Sequence, residues 1–226
     1  MRIQLELEDI PELSIQSVSV IGSFNNYDEN ADVLWREDGI WTTTVKLGTG
    51  EHYYRFLING EIRLNDPYAN LYRPHGEDEL WSVILIDDNG ERLYNNEQHE
   101  VTIEEYAVSG TVTKRKIRKN KKQYNLLKDK QIVVRFGFRE ITGLHTVTVL
   151  WYDAGGQLCE VTENMLYAED NPNKTVYIWF WTDIRNEDVW YPEGTWTMKL
   201  FIDGSYILED QYQVSKYITY GRNALM

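Results

Sequence analysis

The sequence predicts an all-β protein of two tandem β-sandwiches, and three observations carry that prediction. Short alternations of apolar and polar residues fill most of the 226 positions. Turn-forming dipeptides separate these runs at short, regular spacing. Finally, a stretch of the first half recurs in the second. Gly50-Glu-His-Tyr-Tyr-Arg-Phe-Leu-Ile-Asn-Gly60 aligns without a gap on Gly194-Thr-Trp-Thr-Met-Lys-Leu-Phe-Ile-Asp-Gly204, 144 residues on, and the correspondence reaches Asp66 and Asp210. Each copy reads as glycine turn, strand, two-residue hairpin, strand. Two related sandwiches explain the recurrence; convergence on a common hairpin pattern is the alternative.

The elements follow in order. Ser17-Val18-Ser19-Val20 and Thr146-Val147-Thr148-Val149 alternate with the period of a half-buried strand. Trp41–Leu47, Tyr53–Ile58, Trp81–Ile86, Gln131–Phe138, Thr175–Trp181, Trp196–Ile202 and Tyr206–Tyr212 are rich in β-branched and aromatic residues. Between them lie Asp38-Gly39, Gly48-Thr49-Gly50, Asp88-Asn89-Gly90 and Ala154-Gly155-Gly156. Asn59-Gly60 and Asp203-Gly204 predict two-residue hairpins, because a type I′ turn needs positive φ at both central residues. No run has the period of a helix of two turns or more.

Composition narrows the class. With 8 Trp, 16 Tyr and 42% hydrophobic residues the chain has the material for buried cores, which disordered sequences lack. The apolar runs are too short to span a bilayer, and the opening residues MRIQLELEDI lack a signal-type apolar core. The single Cys159 excludes a disulfide framework and suits a reducing compartment, so a cytoplasmic location is expected. The net charge of −13 is lopsided. Residues 1–100 hold 7 Lys/Arg against 20 Asp/Glu, whereas residues 101–226 balance. That asymmetry supports domains at 1–100 and 101–226, the second ending in an extension from Lys216, with the seam near 98–112. An acidic first half makes nucleic acid an improbable partner, because phosphates would be repelled, and no membrane association is expected.

In the first half, Val20-Ile-Gly22-Ser-Phe-Asn-Asn-Tyr27 is followed by Asp38-Gly39-Ile-Trp41, Val45-Lys-Leu47, Gly50 to Phe56, Asn59-Gly60 and Asp66-Pro67. These blocks, over roughly residues 15–87, resemble the glycogen-binding early-set module found in AMP-activated protein kinase β subunits and at the N-terminus of branching and debranching enzymes. The resemblance implies an α-glucan ligand, glycogen or a maltooligosaccharide. It implies that Tyr27 stacks on a glucose ring and that Arg55 hydrogen-bonds sugar hydroxyls. The family's second stacking tryptophan falls here on Ile62 or Arg63, so that ring is absent. Trp81 would supply a replacement if it reaches the same face, and the family's polar residue in the last strand falls near Ser82. Trp41 and Phe56 read as core.

Residues 106–215 resemble a bacterial immunoglobulin-like domain, chiefly in Tyr191 to Gly204 followed by Glu209-Asp210. In Thr175-Val-Tyr-Ile-Trp-Phe-Trp181, Val176, Ile178 and Phe180 point one way in a strand, and Tyr177, Trp179 and Trp181 the other. One set is core. The other is covered by a loop or the neighbouring domain, or else forms a surface for a protein partner or a second copy of the chain. Lys114-Arg-Lys-Ile-Arg-Lys-Asn-Lys-Lys122 carries seven basic residues in nine, either as a solvated loop or as a docking site for an acidic surface.

Chemistry-bearing motifs are missing: no phosphate-binding glycine loop, no Gly-x-Ser-x-Gly, no Cys-x-x-Cys. The four histidines are scattered, and His75-Gly-Glu-Asp-Glu79 reads as an acidic loop. Cys159 reads as an inert small residue within a strand. No catalytic residue, metal site or cofactor is therefore expected. The sequence points to a non-catalytic α-glucan-binding adaptor using Tyr27, Arg55 and Trp81. The alternative is a protein-interaction or structural module that keeps the early-set fold without sugar binding and uses Tyr177, Trp179 and Trp181.

Overall fold

The computed structural model describes residues 1–76, 79–94, 100–168, 174–185 and 190–217. His99 and the extension beyond residue 217 lie outside the described residues. The first sandwich comprises β1 (Arg2–Glu8), β2 (Val18–Gly22), β3 (Asp32–Val33), β4 (Trp35–Glu37), β5 (Ile40–Lys46), β6 (Gly50–Ile58), β7 (Ile62–Leu64), β8 (Tyr72–Pro74), β9 (Leu80–Ile86) and β10 (Arg92–Leu93). The second comprises β11 (Glu100–Ser109), β12 (Gln123–Asn125), β13 (Gln131–Thr142), β14 (His145–Tyr152), β15 (Leu158–Leu166), β16 (Val176–Asp183), β17 (Gly194–Ile202) and β18 (Ser205–Ser215). The only helical element among the described residues is a single 3-10 turn at Ser23–Asn25.

In the first sandwich, sheet β1-β5-β4 faces sheet β10-β9-β6-β2-β3, which also carries β7 on β6 and β8 on β9. Between them lies a core containing Val18, Val20, Trp41, Tyr54, Phe56 and Ile58. In the second, sheet β11-β13-β16 faces β12-β18-β17-β14-β15 around Phe136, Phe180, Trp151, Trp196 and Tyr212. Strand β1 follows from the alternation in Arg2-Ile-Gln-Leu-Glu-Leu-Glu8, whose three apolar residues are the buried ones. Residues 100–109, within the stretch expected as the seam, form strand β11; Val101, Ile103 and Tyr106 pack against the second core.

The internal repeat is structural. Gly50 and Gly194 open their strands with φ of 118° and 139°, and Asn59-Gly60 and Asp203-Gly204 turn with positive φ at both residues. Asp203-Gly204 closes the two-residue hairpin its sequence predicts, Ile202 pairing with Ser205, whereas Asn59-Gly60 turns inside a three-residue loop, because Ile58 pairs with Ile62 and Glu61 is left over.

The alternation in Thr146-Val147-Thr148-Val149 predicts one solvated face, but β14 is buried on both. Val147, Val149 and Trp151 enter the second core. Leu150, with Phe201 of β17, instead packs into the core of the first sandwich. The two sandwiches are therefore joined by a packed seam. Asn65 Nδ2 donates to Thr146 Oγ1 at 3.0 Å, and Lys199 Nζ donates to the Glu12 carbonyl.

Near this seam His145 is fully buried, with Nδ1 2.6 Å from Asp203 Oδ2 and Nε2 facing the carbonyls of Thr142 and Glu100 at 2.9 and 3.2 Å. Both nitrogens face acceptors, an arrangement that favours the doubly protonated imidazolium. Burial pulls its pKa down, yet the Asp203 bond and charge, with the two carbonyls, outweigh that and leave it above its ordinary 6.5. A folded pKa above the unfolded one stabilises the protein fully below the unfolded value, and that stabilisation is lost as pH rises through the folded value. The melting temperature is accordingly expected to fall as pH rises above the ordinary histidine value of about 6.5, and His145→Gln to flatten that slope. A slope unchanged in the variant would assign the dependence to other groups.

Candidate functional site

The outer face of sheet β10-β9-β6-β2-β3 carries the site. Strand β6 turns Tyr54, Phe56 and Ile58 inward, leaving Tyr53, Arg55 and Leu57 outward. The loop after β2 presents Tyr27. There Asn25 accepts from Gly22 N at 3.0 Å and donates to the Val20 carbonyl and Asp32, both at 2.8 Å. Ser23 Oγ accepts from Tyr53 N at 3.1 Å, tying the loop to β6. A side chain at Gly22 would meet the Tyr53 carbonyl at 2.6 Å, so only glycine lets the loop lie this close. Asn26 and Tyr27 then adopt φ of 55° and 59°, which projects the Tyr27 ring over the sheet, 39% exposed.

The β8–β9 pairing sets Arg73 opposite Trp81 and Pro74 opposite Leu80, and His75 N donates to the Glu79 carbonyl. His75 is thereby inserted between two tyrosines. Its ring stacks on Tyr53 at 4.4 Å and on Tyr27 at 5.8 Å, with Nε2 2.6 Å from the Tyr27 hydroxyl. Trp81 meets both Tyr27 and His75 edge-on at 5.5 Å, and Nε1 donates to Glu79 Oε2 at 2.8 Å. Trp81 does reach the face of Tyr27, but at 5% exposure it is the backing of the patch, not an open platform. The exposed surface is offered by Tyr27, His75 and Tyr53. Burial raises the Tyr27 pKa, and the Glu51 hydrogen bond followed by burial raises that of Tyr53, so both remain neutral phenols at physiological pH.

Arg55 lies beneath Trp81, its guanidinium 5.0 Å from that ring. Its side chain is only 4% exposed; it donates to the Leu80 carbonyl and pairs with Glu163 of β15 at 2.7 Å. Burial raises the Glu163 pKa despite the opposing pull of Arg55. Of the two positions for the missing tryptophan, Ile62 is core, while Arg63 faces outward and pairs with Glu29 at 3.3 Å. Ser82 is fully inward, its hydroxyl accepting from Asp66 N at 2.8 Å, which makes it a latch of the fold.

The second surface resolves differently. Val176, Ile178 and Phe180 pack toward the core, and Tyr177 and Trp181 point out at 42% and 46% exposure. Trp179 is half covered, because Nε1 donates to the Thr113 carbonyl at 3.2 Å. Arg135 reaches the carbonyls of Thr113 and Arg115 from the same face, so the start of the basic run is pinned over the sheet. Cys159, read from sequence as an inert strand residue, is on β15 but exposed, because it lies in the first residues of an edge strand. Among the described residues no cluster of His, Cys, Asp or Glu could hold a metal, and no helix is long and apolar enough to cross a membrane.

Sequence reasoning missed Tyr53 and His75. Tyr53 was within reach, since it lies two residues before Arg55 on one strand and so shares its face. His75 was not, because a hairpin register brings it there. Among solved structures, the chain is similar to the alkylpurine DNA glycosylase AlkC of Pseudomonas fluorescens bound to DNA with an abasic site analog, at 14% identity and a TM-score of 0.36 over 52% of this chain and 31% of that one. It is similar to a β-glucosidase of Listeria innocua in complex with glucose, at 12% and 0.34 over 57% and 17%. An immunoglobulin-like protein of Pseudomonas aeruginosa gives 18% and 0.33 over 52% and 98%. The chain thus spans a third or less of the length of the glycosylase and the glucosidase. Residues 13–86, which contain Tyr27, Tyr53, Arg55, His75 and Trp81, match the family model of the glycogen recognition site of AMP-activated protein kinase.

Proposed function

We propose that this protein is a non-catalytic adaptor that binds an α-glucan, glycogen or a maltooligosaccharide, on the outer face of its first sandwich. The observation that carries this reading is the Tyr27–His75–Tyr53 patch lying within a segment that matches a glycogen-recognition family. Apolar faces of glucose units stack on flat rings, and this patch offers two tyrosines bridged by an imidazole in place of the tryptophan the chain lacks. Trp81 backs the patch, and Arg55 beneath it pairs with Glu163 of the second sandwich.

Titration with maltoheptaose, followed by tryptophan fluorescence and calorimetry, tests the reading. Saturable binding is expected, and Tyr27→Ala should weaken it about five- to twelvefold through loss of one stacking ring of ~1–1.5 kcal/mol. Wild-type protein that binds no maltooligosaccharide at millimolar concentration would sink it. The exposed Tyr177 and Trp181 favour a second reading, in which that face of the second sandwich meets a protein partner or another copy of the chain. A dimer in solution that falls to monomer on Trp181→Ala would support it.

A further inference from the structure

We propose that the glucan site does not end at the first sandwich but crosses the seam into a cleft walled by β15, where Val161 and Glu163 of the second sandwich contact the sugar. This rests on the reading that the Tyr27 patch holds an α-glucan.

A cleft of about 350 Å³ opens beside Arg55 and is lined by Arg55, Glu61, Arg63, Glu79, Val161 and Glu163. Its volume is at the small end of ligand pockets, which run ~300–1,000 Å³. Two of the six lining residues come from the second sandwich. Contacts through Trp81 link the cleft to the aromatic patch. Glu79 accepts the indole N–H of Trp81, Trp81 stands edge-on to Tyr27, and Arg55 lies under Trp81.

The lining suits a neutral polyhydroxyl ligand. Two guanidiniums alternate with three carboxylates, so a phosphate would meet three negative groups and an amine two positive ones. A pyranose presents vicinal hydroxyls that both donate and accept, and such pairs fit an arginine beside a carboxylate. Unsatisfied capacity is present as well. Glu163 spends Oε1 on Arg55, while Oε2 has only a 3.5 Å contact with Thr148. A sugar hydroxyl that donates to this part-exposed carboxylate oxygen is bound through a charge-assisted hydrogen bond. Val161, 40% exposed on the wall, supplies apolar surface for a ring face.

The consequence is a dependence on chain length. Maltose reaches only the patch, whereas longer oligomers also enter the cleft. Calorimetry with maltose, maltotriose, maltotetraose and maltoheptaose should show affinity rising along the series in the wild type. Glu163→Gln should weaken the longer sugars about tenfold more than it weakens maltose, as expected for a lost hydrogen bond to a charged group. Val161→Trp, at an exposed position that leaves the Arg55–Glu163 pair in place, should fill the cleft and abolish the rise with length. If wild type and both variants gain equally with length while Tyr27→Ala loses binding, the site is confined to the first sandwich and this inference is overturned with the glucan reading intact. If the wild type binds none of the series, both fall.

Discussion

Gly204→Ala is expected to destabilise the protein far more than Gly60→Ala, although the two glycines occupy the same place in the repeated hairpin. Both have positive φ, 72° at Gly60 and 85° at Gly204, so alanine costs ~1–2 kcal/mol of backbone strain at either site. The surroundings differ. A methyl on Gly60 meets nothing within 4 Å, whereas one on Gly204 would overlap the Asn65 carbonyl oxygen and touch Pro67. That carbonyl belongs to the first sandwich, so relief requires the hairpin tip to lift and draws Phe201 and Leu150 out of the core they share with it. Overpacking adds ~1–3 kcal/mol to the strain. Urea unfolding followed by tryptophan fluorescence should therefore show Gly204→Ala with the lower midpoint and, if the seam opens first, a second transition. Equal losses at the two positions would mean that the hairpin tip does not rest on the first sandwich in solution.

This seam is also where reading the sequence ran out. Local features were legible because they are written in neighbouring residues. Asn59-Gly60 and Asp203-Gly204 state their own turn, and Thr175 to Trp181 states which side chains share a face. Tyr27 was legible through the resemblance carried by Gly22-Ser-Phe-Asn-Asn-Tyr27, a short motif whose loop is closed largely by its own side chains. What alternation cannot state is what lies against the polar face. Thr146 and Thr148 look like solvent positions, yet they are buried because another sandwich lies over them. Arg55 shows the same limit. Its residue type and strand position were readable, but its partner is 108 positions away, on a strand whose sequence carries no mark of the pairing.

That partnership makes the second large prediction. Arg55→Met should cost up to about 3 kcal/mol, less than breaking a fully buried pair, because it leaves the half-buried Glu163, 19% exposed, without its cation. The dependence on pH identifies the cause. Burial already holds the folded Glu163 pKa above the ordinary carboxylate range, and Arg55 is the main group opposing that rise. Removing Arg55 raises the folded value further. A carboxyl with a raised folded pKa favours the fold below its unfolded value and loses that contribution as pH rises through the folded one. The penalty of Arg55→Met should accordingly be smaller near pH 5 than near pH 8, where Glu163 is forced to ionise without compensation. Adding Glu163→Gln to Arg55→Met removes the buried charge and should recover most of the loss at pH 8, which a double-mutant cycle in urea reads directly. If the double variant is no more stable than Arg55→Met, or if the loss is the same at both pH values, Arg55 holds the seam by packing over Trp81 and not by neutralising Glu163.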